Sequence, residues 1–464
     1  MKQIITSVGA AAFGSDKFAG INLNADGWGT PANLATHPWS VAGDFNNLTV
    51  QLTQAPGTGI TVTLTLMVNG SDTALTVAIV HPATTASDTT HSVTVAPGDV
   101  VGWRHHVSSG FPIGHHRLHV EFDSDNTGES GYGHRPSIFT GEANGELLFA
   151  SVLSPMVSFA WNDDDDLSEE DQYQDIVAID GAVTRYDVSG RKSSFAALDS
   201  GDTLEFALYK NDVRQDGSGG TVNTTVTVTN GSPEGSWTGT LPLAQGDLLR
   251  VGFIQTGVSG VSLTAAVSSR FEATTDGEFM LSCNGDPASG SPPPEGRFAA
   301  MWGDFWSHPD FGGESEAQIV GGTTTFYVHE LFTNANGLGF YPTRYAIIGR
   351  VNGANTALAK YGVDIGAGLD MRVTARCSTT AGGGMTVTSG DLWCLMLTTQ
   401  PYISAAFGID TTVTVPLAIA FGVDGNTNVH DTPGVVKIFG DLEVTGTITA
   451  GAGGISDDLD GLGT

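Results

Sequence analysis

Six of the twelve histidines crowd into one stretch of the chain: His105, His106, His115, His116, His119 and His134. Neutral imidazole is a common metal ligand, and its charge changes near physiological pH. If residues 98–122 fold as a hairpin, period-two alternation puts His115, Arg117 and His119 on one face, beside Arg104 and His106. His106, His115 and His119 are then the candidate metal ligands, and a trimer axis would gather their rings. Arg104 and Arg117 would oppose a cation there, so a polar or pH-sensitive contact surface is the competing reading. The corresponding stretches LLRVGFIQTG and LWCLMLTTQ contain no histidine, so the fold does not demand one.

Other chemistry is sparse. There is no Gly-Lys pair for a phosphate-cradling loop and no GxSxG elbow. HELFT at His329 opens like a zinc-protease helix but lacks the second histidine. DSDNTGE at Asp123 has the opening spacing of a calcium loop, yet His134 stands where the closing carboxylate belongs. DDDDLSEED, residues 163–171, carries seven carboxylates in nine residues and reads as a solvated loop. Cys283, Cys377 and Cys394 are scattered and odd in number, which gives neither a disulfide framework nor a CxxC pair. With 50 acidic residues, a glycosidase carboxylate pair cannot be located by spacing alone.

The elements that would position these groups are strands. Val62, Leu64, Leu66 and Val68 alternate with Thr61, Thr63, Thr65 and Met67, and Leu204, Phe206 and Leu208 repeat that period. No long segment shows helical spacing. The chain has 464 residues, room for roughly three ordinary domains. Its net charge of −31, from 19 basic against 50 acidic residues, disfavours nucleic acid and anionic membrane surfaces. No apolar run approaches a membrane span, and MKQIITSVGAAAF is too broken for a signal peptide.

Repetition organises the chain. A strand ending in an Asn turn recurs as TLTLMVNG, LEFALYKND and YAIIGRVNG, with Asn69, Asn211 and Asn352 spaced by 142 and 141 residues. Downstream, a Gly-Asp pair opens an apolar strand at Gly98-Asp99, Gly246-Asp247 and Gly390-Asp391. Upstream stand VAGDFNNLTV, VAIDGAVTRY and VGGTTTFYV. NGELLFAS and DGEFMLSC read as the closing strings of the first two units. Asn-Gly and Gly-Asp suit tight strand reversals, so the repeated motifs are structural. The expected domains are residues 1–154, 155–294 and 295–430, with a strand and glycine-rich docking segment over 431–464. The proline loop 286–296 is a spacer, and Trp161 and Trp302 open the second and third units.

The order of VAGDFNNLTVQLTQAPGTG, TLTLMVNG and VTVAPGDVVGW resembles the jelly-roll modules of phage structural proteins, related to tumour-necrosis-factor-like and complement-like trimers. The second unit departs from that pattern where RKSSFAALDSGD replaces the APGTG turn. VVKIFGDLEVTGTITAGAGG is similar to the strand repeats of phage fibre shafts. The resemblance implies an all-β fold of three tandem jelly-roll or β-sandwich domains plus a C-terminal strand segment. It implies a homotrimer in a virion assembled in the host cytoplasm, with no catalytic residues and no cofactor. Its partners would be other virion proteins and a host surface receptor or glycan. Tail or fibre is the expected placement. Capsid decoration or a head spike is the alternative, and an extracellular polysaccharide-binding or -cleaving protein the third.

Overall fold

The computed structural model describes residues 2–13, 16–21, 37–109, 111–133, 137–139, 147–153, 174–192, 196–257, 263–285, 297–299, 306–307, 318–322, 325–335, 345–363, 371–380, 382 and 384–399. His134, Trp161, Trp302, the acidic run, the proline spacer and the 431–464 segment lie outside the described residues. Every regular element among the described residues is a β-strand, and every paired strand is antiparallel to its neighbour.

The first sandwich is built from β1 (Lys2–Phe13), β2 (Lys17–Ala19), β3 (His37–Pro38), β4 (Gly43–Leu52), β5 (Thr61–Val68), β6 (Ser71–Val80), β7 (Thr85–Val95), β8 (Val100–Val107) and β9 (Phe111–Ser124). One sheet runs β1-β9-β4-β7 and the other β2-β8-β5-β6, with β3 on β8. The pairing is nested: β1 with β9, β2 with β8, β4 with β7, β5 with β6. Two sheets whose eight main strands nest this way form a jelly roll. Alternation sets which side chains enter it. Val62, Leu64 and Leu66 of β5 and Leu118, Val120 and Phe122 of β9 are all buried. Trp39 closes the core with its ring centroid 5.3 Å from that of Phe45 and 5.2 Å from that of Phe122.

The second sandwich uses β10 (Glu129–Gly133), β11 (Ser137–Phe139), β12 (Leu147–Ala150), β13 (Asp175–Ile176), β14 (Gly181–Lys192), β15 (Thr203–Lys210), β16 (Val213–Arg214), β17 (Val226–Thr229), β18 (Glu234–Leu243), β19 (Leu248–Thr256) and β20 (Leu263–Ala273). The third uses β21 (Glu278–Gly285), β22 (Arg297–Ala299), β23 (Trp306–Ser307), β24 (Gln318–Ile319), β25 (Phe326–Ala335), β26 (Tyr345–Val351), β27 (Ala354–Val363), β28 (Met371–Ser378), β29 (Met385–Val387) and β30 (Leu392–Thr399). Their sheets repeat the order of the first: β10-β20-β14-β18 and β12-β19-β15-β16, then β21-β28-β25-β29 and β22-β30-β26-β27.

Two features differ from the sequence expectation. β10, β11 and β12 fall within 1–154 but pair with β20 and β19 of the second sandwich, and β21 falls within 155–294 but pairs with β28 of the third. LLFA and EFMLSC are therefore opening strands of the next sandwich rather than closing strands. They are not equivalents either, since β12 is a second strand and β21 a first. The other difference is topological. β9 and β20 follow the strand after the Gly-Asp turn, whereas β28 precedes it, yet β28 occupies the same middle place in its sheet.

Candidate docking interface

The Asn turn and the Gly-Asp turn meet. Asn69, Asn211 and Asn352 have φ of 52°, 48° and 50°, and the next residues Gly70, Asp212 and Gly353 have φ of 75°, 65° and 77°. Consecutive positive φ is the hairpin turn that matches the right-handed twist of the strands, and Asn tolerates it. In each sandwich the Asn amide donates from Nδ2 to the Asp Oδ1, at 2.8 Å to Asp99, 2.8 Å to Asp247 and 2.7 Å to Asp391. Its Oδ1 accepts from the backbone N–H of Val100, Leu248 or Leu392 at 2.9, 2.8 and 2.9 Å. The other carboxylate oxygen accepts from the N–H of Ala96, Ala244 or Thr388. Burial favours the neutral acid at Asp391, but the Thr388 and Asn352 donors outweigh it and hold the carboxyl below the usual range. Asp247 is held low in the same way, with Lys210 adding an ion pair at 2.9 Å.

This clasp fixes the short segment entering β4, β14 or β25. The backbone of Trp39, Val177 and Val320 is bonded on both sides: each N–H donates to the Asp carbonyl and each carbonyl accepts from the turn Gly. The residue after it, Ser40, Ala178 or Gly321, then projects onto another sandwich. Ser40 Oγ donates to Asp187 Oδ2 at 2.6 Å and contacts Ser268 Oγ at 3.0 Å, joining the first sandwich to the second. The Ala178 N–H points at Met280 Sδ at 3.2 Å, joining the second to the third. Gly321 lies over Thr49 and His119, and Gly322 over Glu121, joining the third back to the first. A Cβ on Gly321 would overlap Thr49 Oγ1. The three sandwiches therefore close into a ring within one chain.

The first strands of the sandwiches line the inside of these junctions. Gln3 exchanges two hydrogen bonds with the backbone of Gly131, both 2.8 Å. The Met280 N–H donates to Tyr132 Oη at 2.9 Å. Gln3, Ser130, Tyr132, Phe279, Met280 and Leu281 are all buried, and one apolar cluster runs continuously through the three sandwiches. Desolvation pushes the Tyr132 hydroxyl pKa well up.

The candidate metal set is distributed across this frame. β8 and β9 do not pair; they sit in opposite sheets, so residues 98–122 are a crossover and not the expected hairpin. His106 faces outward on β8, with Nδ1 2.6 Å from Asp16 Oδ1. His119 is buried on the outer face of β9 beneath Gly321. His115 lies opposite Ala10 in the β1–β9 ladder. No group of three His, Cys, Asp or Glu able to hold a metal occurs among the described residues. His105 occupies the core position filled by Phe253 and Leu397 in the other sandwiches, and burial lowers its pKa to about 4. The Asp123 carboxylate accepts from Asn46 Nδ2 at 3.1 Å and lies 3.9 Å from Lys2 Nζ, so it is engaged in the ladder. HELFT is part of strand β25, where His329 bonds Ser378.

The chain matches no protein family and no curated protein. It is similar to solved virus structures. The broad bean stain virus structure aligns at 10% identity and a TM-score of 0.22, over 59% of this chain and 88% of that one. The VP2 subviral particle of infectious bursal disease virus aligns at 11% identity and a TM-score of 0.19, over 87% and 83%. Likenesses this weak carry no functional information. Of the residues that join the sandwiches, Glu121 in HVEFD and Gly321 in IVGGT stand out in the sequence only as a carboxylate next to a strand's apolar positions and a glycine after them, and Ser40, Thr49 and Asp187 carry no signal there.

Proposed function

We propose that this chain is a non-enzymatic structural component of a phage-like virion, placed in the tail or a fibre and contacting other virion proteins or a host surface. The observation that carries the reading is the ring. A trimer of jelly rolls joined face to edge is an assembly unit, and here one chain supplies all three subunits. Among the described residues, Asp99, Asp123, Asp247, Asp391 and His329 are engaged in strand ladders or turns, as structural residues are. The sequence of residues 435–448 alternates as strands do and would give the ring a tether of the kind that fibre shafts use.

A homotrimer of whole chains would have to form through other surfaces, because the edges that join jelly rolls are occupied within the chain. Capsid decoration is the second reading, favoured by the compact closed ring and the charge of −31. Cryo-electron microscopy of the source particle tests both. Ring-shaped density on the tail or fibre supports the first, density on the capsid shell the second, and its absence from the particle rejects both. Release of oligosaccharides from host polysaccharide by the purified chain would reject the non-enzymatic assignment.

A further inference from the structure

The three junctions of the ring share geometry but not chemistry. The first has a hydroxyl–carboxylate bond, with Asp187 also held by Arg185 through Nε at 2.7 Å and Nη2 at 2.5 Å. The second is a backbone N–H on a thioether. Short connections also tie these two, from Ser124 to Glu129 and from Ala273 to Glu278. The third junction joins sandwiches that are not neighbours in sequence, so no short connection between their strands ties it.

At its centre lies His119. The side chain is fully buried, and neither ring nitrogen has a hydrogen-bond partner. The equivalent place in the second sandwich, five residues before the end of β20, is Ser268, which bonds Ser40 across its junction. Among the described residues, Arg117 and Glu121 are the charged side chains next to His119 on its face of β9. Glu121 stands two residues along the same face, and its carboxylate accepts from Lys2 Nζ at 2.9 Å and from Asn47 Nδ2 at 2.5 Å. Arg117 is on that face too, with Nη1 2.8 Å from Gln51. Opposite His119 in the neighbouring strands are Thr6 and Thr49. From the third sandwich come Gln318, Ile319, Val320, Gly321 and Gly322, none of them charged. An imidazolium here would be a buried cation with no hydrogen-bond acceptor, a costly arrangement that parting of the surfaces would relieve by admitting water.

We propose that the junction between the third and first sandwiches is an acid-released latch: protonation of His119 parts residues 318–322 from β9 and opens the ring at that seam while the other two junctions stay closed. Burial lowers the His119 pKa from 6.5 to about 4, against the pull of Glu121. The closed ring therefore takes up a proton less readily than the open one. Between 6.5 and about 4, each pH unit favours opening by up to tenfold, about 300-fold over the window.

Hydrogen–deuterium exchange on the full chain, corrected for the intrinsic pH dependence of exchange, tests this. Between pH 7 and pH 4, protection should fall by at least about tenfold in peptides covering 318–322 and 117–121, and hold in those covering 38–41, 266–270 and 278–282. His119→Ser, the residue of the second sandwich, should keep the seam protected at pH 4, whereas His105→Phe should leave acid release intact. Loss of protection at all three junctions together, or release of His119→Ser at the wild-type pH, overturns the proposal. If His119→Ser does not fold, titration of the wild-type His119 by NMR decides: a pKa below 5 supports the latch, and one near 6.5 rejects it.

Discussion

Each Asn–Asp clasp joins two turns far apart in sequence, with the Asn amide nitrogen, the Asn carbonyl oxygen and both Asp carboxylate oxygens all engaged. Replacing Asn211 with Ala removes two side-chain hydrogen bonds and places a Cβ residue with no compensating bond at positive φ. The expected loss is about 2 kcal/mol in denaturant unfolding, from about 1 kcal/mol per hydrogen bond. Asn211→Gly keeps the backbone conformation and should lose less, which separates the turn from the clasp. The core imidazole of His105 makes a different prediction. Its folded pKa of about 4 lies below the unfolded 6.5, so as pH falls the unfolded chain takes up a proton that the folded one resists. The folded state therefore loses up to about 3 kcal/mol between pH 6.5 and 4. His105→Phe should flatten that fall when midpoints are measured across the window. The turns themselves were legible, because Asn-Gly and Gly-Asp announce positive φ. Their mutual bond was not: the partners are 30, 36 and 39 residues apart, and only the folded register brings them together.

Among the elements, legibility followed how strongly a strand alternates. β5, β15 and β19 bury Val62, Leu64 and Leu66, Leu204, Phe206 and Leu208, and Leu249, Val251 and Phe253 at a period of two, the pattern the sequence shows, while their middles are buried on both faces. β10 did not announce itself. ESGYG has little apolar character, because its glycine is a contact point and its tyrosine reaches another sandwich. The histidine cluster was misread for a related reason. β8 and β9 are joined by a short connection, as a hairpin would be, but jelly-roll pairing sends them to opposite sheets. That separates His106 from His119. The docking of Trp39 on Gly131 offers the element-scale test. A Cβ at Gly131 would overlap the indole Cζ2, and the Trp39 ring is already wedged between Phe45 and Phe122. Gly131→Ala should cost about 1–3 kcal/mol as overpacking. Near-ultraviolet circular dichroism should report the displaced tryptophan; an unchanged spectrum and midpoint would show that β10 moves freely at this junction.

For the whole molecule, β28 matters most. In the first two sandwiches the middle place beside the opening strand is filled by the chain as it leaves for the next sandwich. In the third, β28 fills that place from earlier in the sequence, with hydrogen-bonded ladders to both β21 and β25. Among the described residues, all four places of that sheet are therefore filled before Thr399. Deleting residues 431–464 should leave the ring folded, with an unfolding midpoint within about 2 °C of the full chain, since surface changes away from packed groups stay within about 0.5 kcal/mol. In sequence the deleted segment has a strand-like period of two, in Val436 and Ile438 and again in Leu442, Val444 and Ile448, with Gly440-Asp441 between the two runs. A lone hairpin of that size is marginal in water, so its apolar faces need a partner surface. The expected phenotype is a stable truncated ring whose incorporation into particles falls sharply, measured by quantifying the chain in purified virions. A truncated ring that unfolds would place the segment in the core of the third sandwich instead. One that incorporates normally would remove the docking role from residues 431–464.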